Sequence, residues 1–331
     1  MTIIRKLSPF DRDKVKEMIS FLGNDEAEKF VKRLLNTSCD LFHYWLPLNL
    51  KFKSESYVLV DGNELHGMIS VLPKIGNHQR INITKLLFKR DYYDVGKQLI
   101  EFVIARYGAK GAQSFVALID ESHDELLKLF IDGCGFRKCA DEELYRVDNS
   151  GFISNDIHGF RQFKNSDAQA VAMLFNDSLI THFKPSMLKT KNEYYSRFFK
   201  GLADNVEWQY VLEDENLHTL LAYFSIKTYD GHNYVLDITS STGFTLNYDN
   251  VIGFAKQEIT KRSRQYSLFV KLKKYVSNSK DLDEYLQNNK FNCVQTQMIL
   301  VKDFYKLIKQ ESQTSEVVLF AETGGVFKVR S

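Results

Sequence analysis

Two stretches hold the residues whose types and spacing could do chemistry. The first is KRDYYDVGKQLIEFV, residues 89–103, where a β-rich run gives way to a helical pattern. Lys89, Arg90 and Lys97 surround a lone glycine, Gly96, which suits an anion at a strand-to-helix turn. A helix N-terminus offers unpaired N–H donors and about half a positive charge. Asp94 stands inside the same turn, so the stretch reads equally as a helix start capped by a carboxylate. Cap and anion compete for the same donors. The second stretch follows the apolar run FVALID, whose carboxyl end is where α/β-type sheets place ligands. Glu121 and His123 stand there as candidate bases, and His123 has a ring suited to proton transfer near neutrality. The alternative is that Asp120 and Glu121 complement the dipole of the next helix and His123 is only exposed in its first turn.

Other chemistries find less support. His66 and His218 recur after a turn, but each stands alone among apolar neighbours, and no clustered Cys/His pattern points to zinc. No G-x-S-x-G elbow appears. Cys39, Cys134, Cys139 and Cys293 form no C-x-x-C pair and read as reduced core thiols. The net charge of +2 offers no nucleic-acid or membrane-targeting surface. The N-terminus lacks the apolar run of a signal peptide, and no stretch approaches the roughly 20 apolar residues of a membrane span. A cytoplasmic location is the expectation.

The elements that must position these residues occur twice. YVLVDGNELHG from Tyr57 returns as YVLEDENLHT from Tyr210, an offset of 153. The segment from Ile4 is echoed from Phe160 at 156, Tyr93 by Tyr248 at 155, Phe115 by Phe269 at 154, and Phe136 by Phe291 at 155. Five echoes in one order imply two copies of one fold, joined near residues 147–159 where Asn, Ser, Gly and Asp cluster.

In the first copy a strand (Ile3 to Leu7) precedes a helix from about Arg12. A hairpin turns at Asp61-Gly62-Asn63, and a strand covers Ile81 to Phe88. A helix then buries Val95, Leu99, Ile100, Val103 and Ile104 on one face. SFVALID reads as a strand buried on both faces. A helix follows with Ser122 as cap and Glu125 completing a capping box. A Gly-Phe turn leads to the last strand. The order β-α-(α)-β-β-β-α-β-α-β predicts an α/β class with an α+β-like mixed sheet.

That order, with its Gly-Phe turn, resembles the GCN5-related N-acetyltransferase (GNAT) superfamily, and the whole chain is similar to tandem GNAT proteins. The resemblance implies two tandem acyl-CoA N-acyltransferase-like domains: residues 1–148, holding the acyl-CoA; residues 157–303, a degenerate copy; and residues 304–331, an extension. In this family a Q/R-x-x-G-x-G/A turn holds the pyrophosphate of acetyl-CoA or another acyl-CoA. Here the matching positions are Asp91, Asp94 and Gly96, and only Gly96 fits. Asp94 at about 5 Å from a phosphate would repel it by roughly 3 kcal/mol, about a hundredfold in affinity. If Asp94 turns aside, the Val95, Gly96 and Lys97 amides stay free, beside Gln98.

The resemblance also implies backbone donors near Leu87 and Phe88 for the acyl oxygen, and a helix start at Ser122 where the family has Asn. The family's thiolate-protonating Tyr falls near Phe130 or Ile131, neither of which gives a proton, and an extra residue before Gly135 blurs the register. In the second copy the corresponding turn, NYDNVIG, has Asn247 and Gly253 but no glycine pair, and Tyr275 or Tyr285 approaches the Tyr position. Residues 37–50 and 182–199 lie where the family covers its acceptor. Two readings therefore stand: an N-acyltransferase acting on the amine of a small molecule or peptide, or a non-catalytic binding or scaffold protein of the same fold.

Overall fold

The computed structural model describes residues 2–20, 54–74, 77–88, 93–147, 159–195, 206–214, 219–228, 231–304, 318–320 and 326–328. The first half runs β1 (Thr2–Lys6), α1 (Arg12–Met18), β2 (Glu55–Asp61), β3 (Glu64–Lys74), β4 (Asn77–Phe88), α2 (Tyr93–Gly108), β5 (Ser114–Asp120), α3 (Asp124–Lys128) and β6 (Arg137–Arg146). The second runs β7 (Phe160–Gln162), α4 (Ala168–Ser178), α5 (Lys184–Met187), β8 (Val206–Asp214), β9 (Thr219–Thr228), β10 (Asn233–Ser240), α6 (Tyr248–Thr260), β11 (Ser267–Lys273), α7 (Ser279–Asn288) and β12 (Asn292–Asp303). In the tail, β13 (Val318–Phe320) pairs antiparallel with β14 (Val326–Lys328); the Gly324-Gly325 pair lies outside the described residues. No described helix is long and apolar enough to cross a membrane.

Each half opens on the same pin. The Arg5 guanidinium donates to both oxygens of Asp11, each at 2.7 Å, and Asp11 also accepts the Ser8 N–H, closing a capping box before α1. In the second half Arg161 grips Asp167 at 2.8 and 3.1 Å, and Asp167 accepts the Lys164 N–H. Such fork-to-carboxylate pairs fix where the chain leaves its first strand. The hairpin between β2 and β3 turns at Gly62, whose φ of 57° suits glycine, where the sequence placed it.

Strands 1 to 12 form a single sheet in the order β1-β2-β3-β4-β5-β12-β6-β11-β10-β9-β8-β7. Exchanging each strand of one half for its counterpart in the other reverses this order onto itself, so the halves are related by a local two-fold. The final strands are exchanged. β12, from the second half, lies between β5 and β6 and pairs antiparallel with both, while β6 pairs with β11. Both enter from the same tight turn, at Gly135 (φ 69°) and at Lys290 (φ 55°), 155 residues apart.

One face of the sheet is covered by α2 and α6. The predicted stripe of α2 is buried at Val95, Leu99, Ile100 and Val103 against Tyr57, Ile69, Ile81 and Phe115. α6 buries Val251, Ile252, Ala255 and Ile259 in the same way. The other face carries α1 and α4. β5 departs from the expected double burial: Leu118, one residue beyond the last pair with β4, is 47% exposed.

A polar network closes the far edge of the first core. Glu55 accepts the hydroxyls of Tyr57 and, at 2.6 Å, Tyr107, and pairs with Lys6 at 3.3 Å. Burial works to raise the Glu55 carboxyl, but Tyr107, Tyr57 and Lys6 outweigh it and bring it down from 4.5 to about 2. A carboxyl lowered on folding adds stability that is complete above its unfolded value and fades as pH falls through the folded one. Glu55→Gln should therefore flatten the acid limb of a stability–pH curve between about 4.5 and 2; a limb as steep as wild type would remove Glu55 from the account.

Candidate active site

β4 and β5 are parallel partners over only four residue pairs, from Arg80↔Ser114 to Ile83↔Ala117. Beyond them β4 continues to Phe88 along β3, while β5 continues to Asp120 along β12, so the sheet opens between them. The opening begins at an irregularity. Ser70 of β3 faces Lys85 and Val71 faces Ile83, leaving Thr84 as an extra residue in β4. A bulge of this kind re-aims backbone groups and bends its strand. α2 starts at the mouth of the opening.

The second half repeats the plan with a change. β10 and β11 pair from Asn233↔Ser267 to Asp237↔Lys271 and then separate, but β9 and β10 pair without a bulge. The strand register sets Ile81 against Phe115 and Leu236 against Val270, so β5 and β11 correspond at 155 and not at the 154 that matched Phe115 with Phe269: INIT (residues 81–84) becomes LDIT (236–239), Val116 becomes Lys271 and Leu118 becomes Lys273. Lys273, 3% exposed, donates to Asp237 at 2.7 Å and to the Thr239 hydroxyl at 2.9 Å, across the gap. Burial raises the Asp237 carboxyl, yet Lys273, Lys271, Lys189 and Lys227 together hold it well below the usual carboxylate range. The space left between β10, β11 and α7 is about 10 Å³. The first opening is apolar at Val116 and Leu118; the second is closed by an ion pair.

No family model and no curated protein matches the sequence. Solved structures do match the fold. A tandem GNAT protein from the clavulanic acid biosynthesis pathway superposes with a TM-score of 0.58 at 11% identity, over 92% of this chain and 98% of that one. A GCN5-related N-acetyltransferase from Sphaerobacter thermophilus does so at 0.60 and 11%, over 91% and 95%. The chain has a tandem GNAT fold.

Within this GNAT fold the predicted site residues scatter around the first opening. Leu87 and Phe88 are half-buried at the end of β4. Lys89 and Arg90 lie outside the described residues. Asp94 and Gln98 are exposed on α2, Val95 and Gly96 are buried, and Lys97 reaches Glu101 at 4.0 Å. Asp94 lies inside the first turn rather than before it, and among the described residues no N–H bonds its carboxylate. Gly96 has a packing reason to be glycine: a Cβ there would stand 2.8 Å from Leu129 and 3.0 Å from Phe88.

Ser122 is corrected. α3 begins at Asp124, and the capping position is His123, which makes no side-chain cap bond. The Ser122 N–H and hydroxyl instead both donate to Asp120, at 2.8 and 2.6 Å, so the expected box with Glu125 does not form. Asp120 won because its carboxylate, two residues back, closes a tighter ring. Glu121 and His123 are exposed at the end of β5, and the Glu121 N–H donates to Thr296 of β12 at 2.9 Å. The extra residue before Gly135 is taken up in a π-helical turn, Leu129–Gly133, in which Phe130 is buried and Ile131 is 37% exposed.

In the second half Asn278 begins α7 and bonds Ser240, and the Tyr285 hydroxyl donates to Asp249 at 2.6 Å beside Tyr248. Tyr275 is buried, its hydroxyl donating to Glu142 at 2.5 Å. His66 is half-buried; His218 and residues 37–50 lie outside the described residues. Of the aromatic stretch 182–199, Tyr194 is buried and Tyr195 is 42% exposed, while residues 196–199 lie outside the description. Among the described residues no three His, Cys, Asp or Glu side chains gather as a metal set.

The sequence reading missed a polar cavity of about 440 Å³ on the α1/α4 face. Leu72, Pro73 and Asn82 of the long β3–β4 arm close one side, Lys189, Glu193 and Tyr194 a second, and strands β8 to β10 the floor. Arg80 ties the arm down, donating to the Leu188 carbonyl at 3.3 Å. The signal was present: Asn82 and Asp237 occupy one repeat position, and both face this cavity.

Proposed function

We propose that the chain is an acyl-CoA-dependent N-acyltransferase, with residues 1–148 as the cofactor half, 157–303 as the degenerate copy and 304–331 as an extension. Acetyl-CoA or another acyl-CoA supplies a thioester whose acyl group passes to an amine of a small molecule or peptide. The observation that carries this is the bulge at Thr84, at the head of an opening that is apolar in the first half and ion-paired in the second.

The roles follow from chemistry. Beyond Ile83, β4 has no β5 partner, so those of its N–H groups between Thr84 and Phe88 that point away from β3, at alternate residues, face the opening and suit an acyl oxygen. The unpaired amides at the start of α2 are those up to Val95, because the helix begins at Tyr93 and the Gly96 and Lys97 N–H groups, expected to be free, bond within it, as does that of Gln98. With Lys89 and Arg90 before them and the Lys97 side chain one turn on, they suit a pyrophosphate. Glu121 or His123 takes the proton of the attacking ammonium. Phe130 and Ile131 give none to the leaving thiolate, so water or the acceptor itself does so. The second reading, a non-catalytic binding protein, draws on the same two residues and on Asp94.

Calorimetric titration with acetyl-CoA separates them. Wild type should bind, and Asp94→Asn should bind about tenfold tighter, less than the hundredfold of a buried charge because Asp94 is exposed and screened. Absence of heat at millimolar acetyl-CoA in both proteins would sink the acyltransferase reading; binding with no turnover across an amine panel would favour the second.

A further inference from the structure

The polar cavity is walled by charges of both signs. Glu193, Glu207 and Asp237 supply three carboxylates; Lys189 and Lys227 supply two ammoniums, and Lys273, outside the lining, lies against Asp237. Glu207 and Lys227 pair at 3.3 Å. With Asp237 neutralised by Lys273, the wall is close to balanced and dense in both signs. A cavity so lined gains from a ligand that presents both an ammonium and a carboxylate, and loses by admitting a net charge.

The carboxylates converge. Glu193, Glu207 and Asp237 line the same cavity as the Tyr194 phenol, which burial, then Tyr223 and these carboxylates, raise well above its usual value. Tyr223 is raised by burial, Glu207 and Asp237. Both phenols remain hydrogen-bond donors, placed among acceptors. Lys189 lies over the Phe175 ring, 3.9 Å from its centre, and 5.5 Å from the centre of the Tyr194 ring, which holds its ammonium beside the carboxylates of the wall.

Size and position fit a small molecule. About 440 Å³ is within the roughly 300–1,000 Å³ of ligand pockets. Asn82, in the wall, is two residues from the Thr84 bulge, about 7 Å along the strand. A molecule filling the cavity can thus present an amine to the head of the first opening.

We infer that this cavity binds a small zwitterionic amine, a free amino acid or dipeptide, with its ammonium among Glu193, Glu207 and Asp237 and its carboxylate toward Lys189. As the acceptor site this rests on the acyltransferase reading; as a binding site it stands apart from it. The test is calorimetry on the full chain without any acyl-CoA, using a panel of free amino acids and dipeptides. Each hit is then compared with its C-terminal amide and its N-acetyl form.

At least one zwitterion should bind, and each blocked form should bind at least roughly tenfold more weakly, the loss of one charge-assisted contact. Leu72→Trp, which narrows the cavity from the arm without touching a charge, should weaken the zwitterion by a similar factor while the melting curve stays cooperative. Binding that survives both blocking groups, or a neutral polyol binding in their place, overturns the inference. So does a hit indifferent to Leu72→Trp. Zwitterion binding without acyl transfer would overturn only the catalytic reading; transfer to amines that never bind here would overturn only this one.

Discussion

Lys273→Met is expected to destabilise the protein by about 3–5 kcal/mol, the cost of removing one partner from a buried ion pair. The methionine nearly fills the volume, so little of the loss is packing. What remains is the Asp237 carboxylate, with Thr239 beside it and only Lys271, Lys189 and Lys227 at longer range to offset its charge. Those lysines bring the expectation to the lower end of that range. Asp237→Asn in the Lys273→Met background should recover most of the loss, because a neutral pair needs no counter-ion. Urea denaturation of the four proteins gives the coupling directly. Single losses that simply add in the double variant would show that the two groups do not stabilise each other, and the idea that the second opening is held shut by this pair would fail.

Gly67→Ala should cost about 1–3 kcal/mol through overpacking. Gly67 lies in β3 beneath α2, and an added Cβ would stand 2.6 Å from a methyl of Val95, 2.9 Å from Leu99 and 3.1 Å from the Leu87 carbonyl oxygen. Valine cannot turn away, since its branched χ1 is fixed in a helix. Gly96→Ala, on the helix side of the same interface, should cost less. Its contacts with Leu129 and Phe88 are nearly as close, but alanine returns about 1 kcal/mol of helix propensity. Gly108→Ala, with nothing within 4 Å, is the control and should be close to neutral or stabilising. Equal effects at Gly67 and Gly108 would show that α2 yields freely, and the start of α2 would then not be a fixed platform for an anion.

These glycines explain what was legible in the sequence and what was not. The stripe of α2, the hairpin at Gly62 and the order of elements were readable, because periodicity and turn chemistry are local. The repeat was readable too, and with it the two-fold order of the sheet. Gly96 was a true signal read for one cause when the structure supplies another, the contact with Leu129 and Phe88. Ser122 misled because a short polar residue before a helix scores as a cap until a carboxylate two residues earlier competes for it. The π turn at Leu129–Gly133 was sensed as an extra residue but had no local pattern of its own. The ion pair of Lys273 with Asp237 joins two strands 36 residues apart; only laying INIT over LDIT exposes it, and only the folded sheet shows that the charges meet. The exchange of β6 and β12 left no trace, since either strand pairs equally well by pattern with β5 or β11.

That exchange has a consequence for synthesis on the ribosome. Arg146 ends β6 and Asp303 ends β12, 157 residues later. At about 5–20 residues per second, roughly 10 to 30 seconds pass before the strand that belongs between β5 and β6 has emerged. Through that interval β5 and β6 have bare edges and no partner within reach but each other, a pairing the finished sheet forbids. The nascent first half must therefore wait in an unfinished state, or bond β5 to β6 and later unzip. A premature stop just before β12 leaves the first half short of a strand and bares one edge each of β5 and β6, a handle for chaperones or proteases.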